Sequence, residues 1–152
     1  MTKHFNHMGL TVSNLDRSVE FYCGGLGLPL PPEGHDFIIE GDWLSRLVGA
    51  DDPRIRVAFI PLDHGVLELL EYQQPGDGKT TASLANWDAG SAHLALNIAD
   101  LASFYERTRD ELPYLSAPQQ VEGGPWAGGL VVYLRDPDGN SVELVDAVID
   151  DD

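Results

Sequence analysis

The chain is poor in cations and in sulfur. Nine Lys and Arg stand against 25 Asp and Glu in 152 residues, giving a formal charge of −16. Nucleic acids and anionic membranes bind proteins through Lys and Arg that displace counterions, so a surface this acidic argues against both as partners. The one cysteine, Cys23, has no intramolecular partner, which excludes a disulfide scaffold and gives no sign of an oxidising compartment. No apolar run approaches the ~20 residues of a membrane span. The opening Met1–His7 has no apolar stretch of the signal-peptide kind, so the expected location is cytoplasmic. What is present is ordinary for a folded domain: 43% hydrophobic and 22% charged residues. The length suits a single domain spanning 1–152, and the acidic end, Asp146 through Asp152, reads as a solvated tail.

Periodicity places the elements. Phe5 to Val12 alternates His7, Gly9 and Thr11 with Met8, Leu10 and Val12, the period of a half-buried strand. Ser13 or Asn14 caps an amphipathic helix over Leu15–Gly24, which Gly24-Gly25 stops. Strands are predicted at Asp36–Glu40, Ile55–Pro61 and Val66–Tyr72, with a short helix at Gly41–Gly49 and a turn at Asp63-His64-Gly65. Gln73–Gly90 has little apolar patterning and reads as a linker. The plan then restarts: a strand over Ala92–Ile98, a helix from Leu101 to Leu112, and strands near Ser116–Glu122, Leu130–Arg135 and Ser141–Val145.

A duplication follows from the spacing. A shift of 86 residues (93 − 7) lays His7 on His93 and Leu15 on Leu101, and a shift of 75 (143 − 68) lays Glu68 on Glu143. The domain thus divides into two β-α-β-β-β repeats, 5–72 and 91–146, joined by the linker 73–90. The shorter second shift implies that the second repeat lacks material present in the first, namely the Gly41–Gly49 helix.

Strand parity sorts the chemistry. His7, Glu68, His93 and Glu143 each lie on the face opposite the aliphatic residues of their strands, and those aliphatics pack against the helices. If the two halves curve around one cleft, two imidazoles and two carboxylates converge there. That set suits a divalent Zn, Ni, Co, Fe or Mn ion and leaves about two positions of an octahedral ion for substrate oxygens or water. Glu71 falls on the wrong face for the set, and Cys23 reads as core. Gly123–Gly129, glycine-dense around Trp126, lacks the Lys-Ser/Thr of a phosphate loop and reads as a mobile loop. Arg54 and Arg56 share parity and can hold a carboxylate, although surface placement is the simpler expectation.

The segments Asn6–Val12 with Leu15–Tyr22, Leu67–Glu71, Ala92–Leu96 and Asp136–Leu144 resemble the marker segments of the vicinal oxygen chelate superfamily. This group contains glyoxalase I, methylmalonyl-CoA epimerase, bleomycin-resistance proteins and extradiol dioxygenases. The resemblance implies an α+β fold of tandem βαβββ modules forming a cup-shaped mixed sheet around a metal, with His7, Glu68, His93 and Glu143 as ligands. It also implies a homodimer acting on a small molecule. The favoured chemistry is that of a lyase or isomerase of the glyoxalase I type, chelating vicinal oxygens and stabilising an enediolate while Glu143, or Glu68, moves the proton. One alternative is an Fe(II) extradiol-type dioxygenase in which Glu68 does not coordinate, with Tyr133, His35 or His64 as acid–base partners. Another is a non-catalytic drug-binding protein whose acidic groove stacks a cationic ligand on Trp43, Trp87 or Trp126.

Overall fold

A computed structural model of the chain describes residues 4–147. The sequence-predicted acidic tail therefore lies largely outside the described residues. The chain divides into two compact units, 1–81 and 82–152. Each is built on its own open, four-stranded mixed sheet.

The first unit runs β1 (His7–Thr11), α1 (Leu15–Val19), β2 (Asp36–Glu40), α2 (Asp42–Val48), β3 (Arg54–Leu62) and β4 (Gly65–Gln74), with strand order β1-β4-β3-β2. β1 pairs parallel to β4, whereas β3 is antiparallel to both β4 and β2. Asn14 caps α1 by accepting from the Arg17 amide at 2.9 Å. The predicted helix to Gly24 does not stay α-helical: from Glu20 to Gly25 it widens into π-helical turns that bury Phe21, Tyr22 and Cys23. The Leu26 amide bonds Phe21 O at 2.9 Å, closing this wide segment.

α1 lies over the face of β4 that carries Leu67 and Leu69, both fully buried. α2 covers the other face. Its Leu44 packs with Ile55 and Val57, bordered by Ile39, Val48, Phe59, Leu70 and Tyr72. Gly49 ends α2 at φ 71°, in the left-handed region that spares a side chain strain.

The second unit runs β5 (His93–Asn97), α3 (Leu101–Thr108), β6 (Gln119–Gln120), β7 (Leu130–Arg135) and β8 (Ser141–Asp146), in order β5-β8-β7-β6. Its β5–β8 pair is again parallel and its hairpin antiparallel. α3 is shorter than the sequence predicts, and the strand expected over Ser116–Glu122 contracts to Gln119–Gln120 plus a bridge from Tyr114 to Leu134. Leu94, Leu96, Val132, Leu134, Val142 and Leu144 are buried on one sheet face, with Leu101 of α3 buried against it.

Candidate active site

Register, set by turns, brings the functional side chains together. In the first unit a two-residue turn joins β3 to β4, and Gly65 follows at φ 145°. A Cβ on Gly65 would lie 2.7 Å from the Phe5 ring, so only glycine fits. The resulting hairpin sets Phe59 opposite Glu68, and the parallel pairing sets Gly9 beside Glu68. His7, two residues before Gly9, then brings its Nε2 to 3.4 Å from Glu68 Oε2. Gly9 keeps the approach open, since a Cβ there would stand 3.3 Å from that same carboxylate oxygen. His7 Nδ1 hydrogen-bonds Asn6 Oδ1. An amide oxygen only accepts, so this contact suits a proton on Nδ1 and leaves Nε2 as the nitrogen turned toward Glu68.

The second unit repeats this arrangement. Buried Asp136 holds the Asp136–Asn140 turn: its Oδ1 accepts from the amides of Asp138 at 2.9 Å and Asn140 at 2.8 Å, and its Oδ2 accepts from Asn140 Nδ2 at 2.9 Å. Arg135 donates to Ser141 Oγ and to Asn86 Oδ1, adding a second tie across the hairpin. Tyr133 thereby faces Glu143, and Ala95 of β5 lies beside Glu143. His93 Nε2 reaches Glu143 Oε2 at 3.1 Å. The Tyr133 ring meets the His93 ring edge-on, with centroids 5.4 Å apart. Burial, then the neighbouring Glu143 carboxylate, pushes the Tyr133 phenol above its ordinary pKa.

In both units the His side chain is nearly half exposed while the Glu side chain is mostly covered, at 47% against 19% and 45% against 12%. This arrangement suits a cation. Ligand bonds of about 2.1 Å at tetrahedral to right angles hold nitrogen and oxygen roughly 3.0–3.4 Å apart, and both pairs fall in that range. The structure thus joins His7 with Glu68 and His93 with Glu143. Among the described residues no group of three or more His, Cys, Asp and Glu is assembled for a metal.

Other sequence-singled residues take different positions. Glu71 accepts from the Leu15 amide at 2.6 Å and so anchors the start of α1. Arg56 is spent on Asp36 and Asp16, and Arg54 on Glu40. His35 packs edge-on to Phe59, and Trp87 is almost fully exposed. Cys23 is buried, which raises its thiol pKa, as does nearby Glu20; a thiolate nucleophile is disfavoured there. Tyr133, singled out in the sequence as an acid–base candidate, stands opposite Glu143, but no sequence signal marked its counterpart Phe59. Asp146, read as the start of a solvated tail, instead ends β8 and accepts from the Leu101 amide at 3.1 Å, as Glu71 does from Leu15.

Comparison with known proteins agrees in scope with the fold. A family model described as Glyoxalase/Bleomycin resistance protein/Dioxygenase superfamily matches residues 4–144. The chain is 32% identical over 146 residues to a 2-epi-5-epi-valiolone epimerase of an Actinomyces species, covering 92% of this chain and 77% of that protein. It is 26% identical over 151 residues to a lactoylglutathione lyase of Salmonella typhimurium, covering 93% and 90% respectively. A glyoxalase family protein from Bacillus cereus superposes with a TM-score of 0.79 at 18% identity, over 97% of this chain and 96% of that one. The trypanothione-dependent glyoxalase I of Leishmania major gives 0.60 at 22% identity, over 95% and 87%.

Proposed function

The chain belongs to the glyoxalase/bleomycin resistance/dioxygenase superfamily, and on that premise we propose that it is a divalent-metal-dependent lyase or isomerase of the glyoxalase I type, acting on a small molecule with vicinal oxygens. The observation that carries the proposal is one His–Glu pair built twice in one register. His7 pairs with Val66 and His93 with Ser141, each lying two residues before the strand's glutamate. Two units that spend a half-exposed imidazole and a covered carboxylate in the same way are organised for a shared chemical task.

In this reading each pair, His7 with Glu68 and His93 with Glu143, would supply ligands to a divalent metal, which would provide Lewis-acid polarisation of a substrate carbonyl. The protein's residues do the rest. Asn6 keeps the proton on His7 Nδ1, so its Nε2 lone pair stays available. Glu143, or Glu68, is the proton carrier: one carboxylate released from the metal takes a proton from the carbon beside the carbonyl and returns it at the same or the neighbouring atom. Tyr133 stands opposite Glu143 across the hairpin, where its phenol can orient that carboxylate, while Glu68 faces the Phe59 ring and has no phenol opposite it. The lyase and epimerase relatives favour redox-neutral proton transfer of this kind.

The experiment is elemental analysis of protein purified without added metal, followed by a screen of polyhydroxylated ketones, α-hydroxycarbonyls, thiohemiacetals, acyl-CoA esters and catechols. About one equivalent of divalent metal per chain is expected, and His93→Ala should remove both metal and turnover. Full activity in that variant would refute the assignment. Catechol cleavage in place of proton transfer would give the reaction to the dioxygenase branch, and less than about a tenth of an equivalent of metal would favour a metal-free binder.

A further inference from the structure

Where β1 ends and the chain leaves β4, Pro75, Gly76, Gly78, Lys79 and Thr80 line a cavity of about 100 Å³. Its lining includes Thr11, Ser13, Tyr72, Lys79 and Thr80, and no carboxylate takes part. In a chain with 25 acidic residues and nine basic ones, a lining with a cation and no acid is a departure from the rest of the surface. Lys79 makes no ion pair among the described residues, whereas Arg54, Arg56 and Arg109 are each held by a carboxylate. Asp77, two residues earlier, does not line the cavity. A further cation stands close by: the Arg17 guanidinium donates to Ser13 Oγ at 2.9 Å. Four hydroxyl-bearing side chains, Thr11, Ser13, Tyr72 and Thr80, line the cavity with the ammonium, the donor chemistry an oxyanion takes.

The location matters as much as the chemistry. Thr11 shares its strand face with His7, and Tyr72 shares its own with Glu68. α2 packs over Leu70 and Tyr72 on this face but leaves β1 uncovered, so His7, Gly9 and Thr11 form an exposed track along the strand. Four residues of strand separate the two ends, about 13 Å.

We propose that the Lys79 cavity is an oxyanion subsite that takes the carboxylate or phosphate at the far end of a substrate lying along β1. The substrate role rests on the function proposed above; anion binding by the cavity does not. The lining sets the class: one ammonium among hydroxyl side chains, with no carboxylate, fits a single carboxylate or phosphate group.

The test is amide NMR on the full chain, as purified and again after chelation, titrated separately with inorganic phosphate and with acetate. Saturable shifts at Thr11, Ser13, Gly76, Gly78, Lys79 and Thr80 are expected in both preparations. Lys79→Gln should weaken binding by about tenfold, roughly 1.4 kcal/mol, with an unchanged thermal midpoint. The anion that saturates at the lower concentration identifies the group. Absence of shifts with either anion, or equal shifts in Lys79→Gln, would overturn the subsite. Binding that survives chelation in a protein whose metal proposal has failed would leave the subsite standing by itself.

Discussion

The two units solve one design problem with different neighbours. Each puts a His on its first strand, beside a Glu on the parallel strand two residues further on, and each ties the first helix to that Glu strand through a carboxylate, Glu71 or Asp146. They differ in what surrounds the Glu. Glu68 faces Phe59, with Phe37 packed on that ring at 5.7 Å and α2 walling the same face; Glu143 faces Tyr133. The repeated parts are those that make the His–Glu pair. The divergent parts set what surrounds each carboxylate, an aromatic hydrocarbon in one unit and a phenol in the other, and surroundings of that kind let chemically equal groups take unequal roles.

The equivalence can be broken first at the imidazoles. His7→Ala and His93→Ala should each abolish turnover and reduce metal content by about 100-fold or more in affinity, read by elemental analysis and a competition chelator. A variant that keeps its metal would show that one pair is structural only. Next come Leu15→Ala and Leu101→Ala, matched first-turn residues that are both fully buried. Each should cost about 2–5 kcal/mol in denaturant unfolding. Removing the helix tethers is milder: Glu71→Ala and Asp146→Ala should cost about 1–2 kcal/mol each, with Glu71 the greater because its bond is shorter. Tyr133→Phe makes the second unit resemble the first. It should lower kcat by about tenfold or less while leaving metal content unchanged, a split that a folding defect would not produce.

The smallest effect lies in the helix caps. α1 is capped by Asn14, which does not titrate, and α3 by Asp100 at φ 54°. Hydrogen bonding to the Ser103 side chain and amide, and more weakly the nearby Arg107, hold Asp100 below its ordinary pKa of 3.8. A depressed folded-state pKa means that the cap's contribution is fully present above the unfolded value and disappears as pH falls through the folded one. Amide exchange at the start of α3 should therefore rise under acid relative to its intrinsic rate, while α1 holds. Asp100→Asn should remove the difference; a persistent difference would assign it to another group.

Much of this was legible in the residues. Alternation in His7–Val12 and Ala92–Ile98 located the two ligand strands, because one face of each must meet a helix. The same parity put Glu68 and Glu143 on the open faces and Glu71 on the other. Turn length was the blind spot. The β3–β4 turn has two residues and the β7–β8 turn five, so a constant shift of 75 lays Tyr133 on fully buried Ala58 instead of Phe59. Only the hydrogen-bonded register reveals that pair. The widening of the first helix after Val19 and the shrinkage of β6 also escaped the reading, because hydrophobic period distinguishes helix from strand and not one helical hydrogen-bonding pattern from another. Arg54 and Arg56 looked available because the acids that bind them, Glu40, Asp36 and Asp16, come from elsewhere in the chain.

Glu68 and Glu71 are three residues apart on one strand and point to opposite faces, as do Glu143 and Asp146. One side of each strand therefore grips a helix while the other presents the glutamate of a His–Glu pair. A slide of the strand by one residue would move that glutamate to the wrong face and at the same moment let go of the helix. Error in placing Glu68 or Glu143 is thus punished as unfolding, and the chain proofreads the position of each His–Glu pair with its stability.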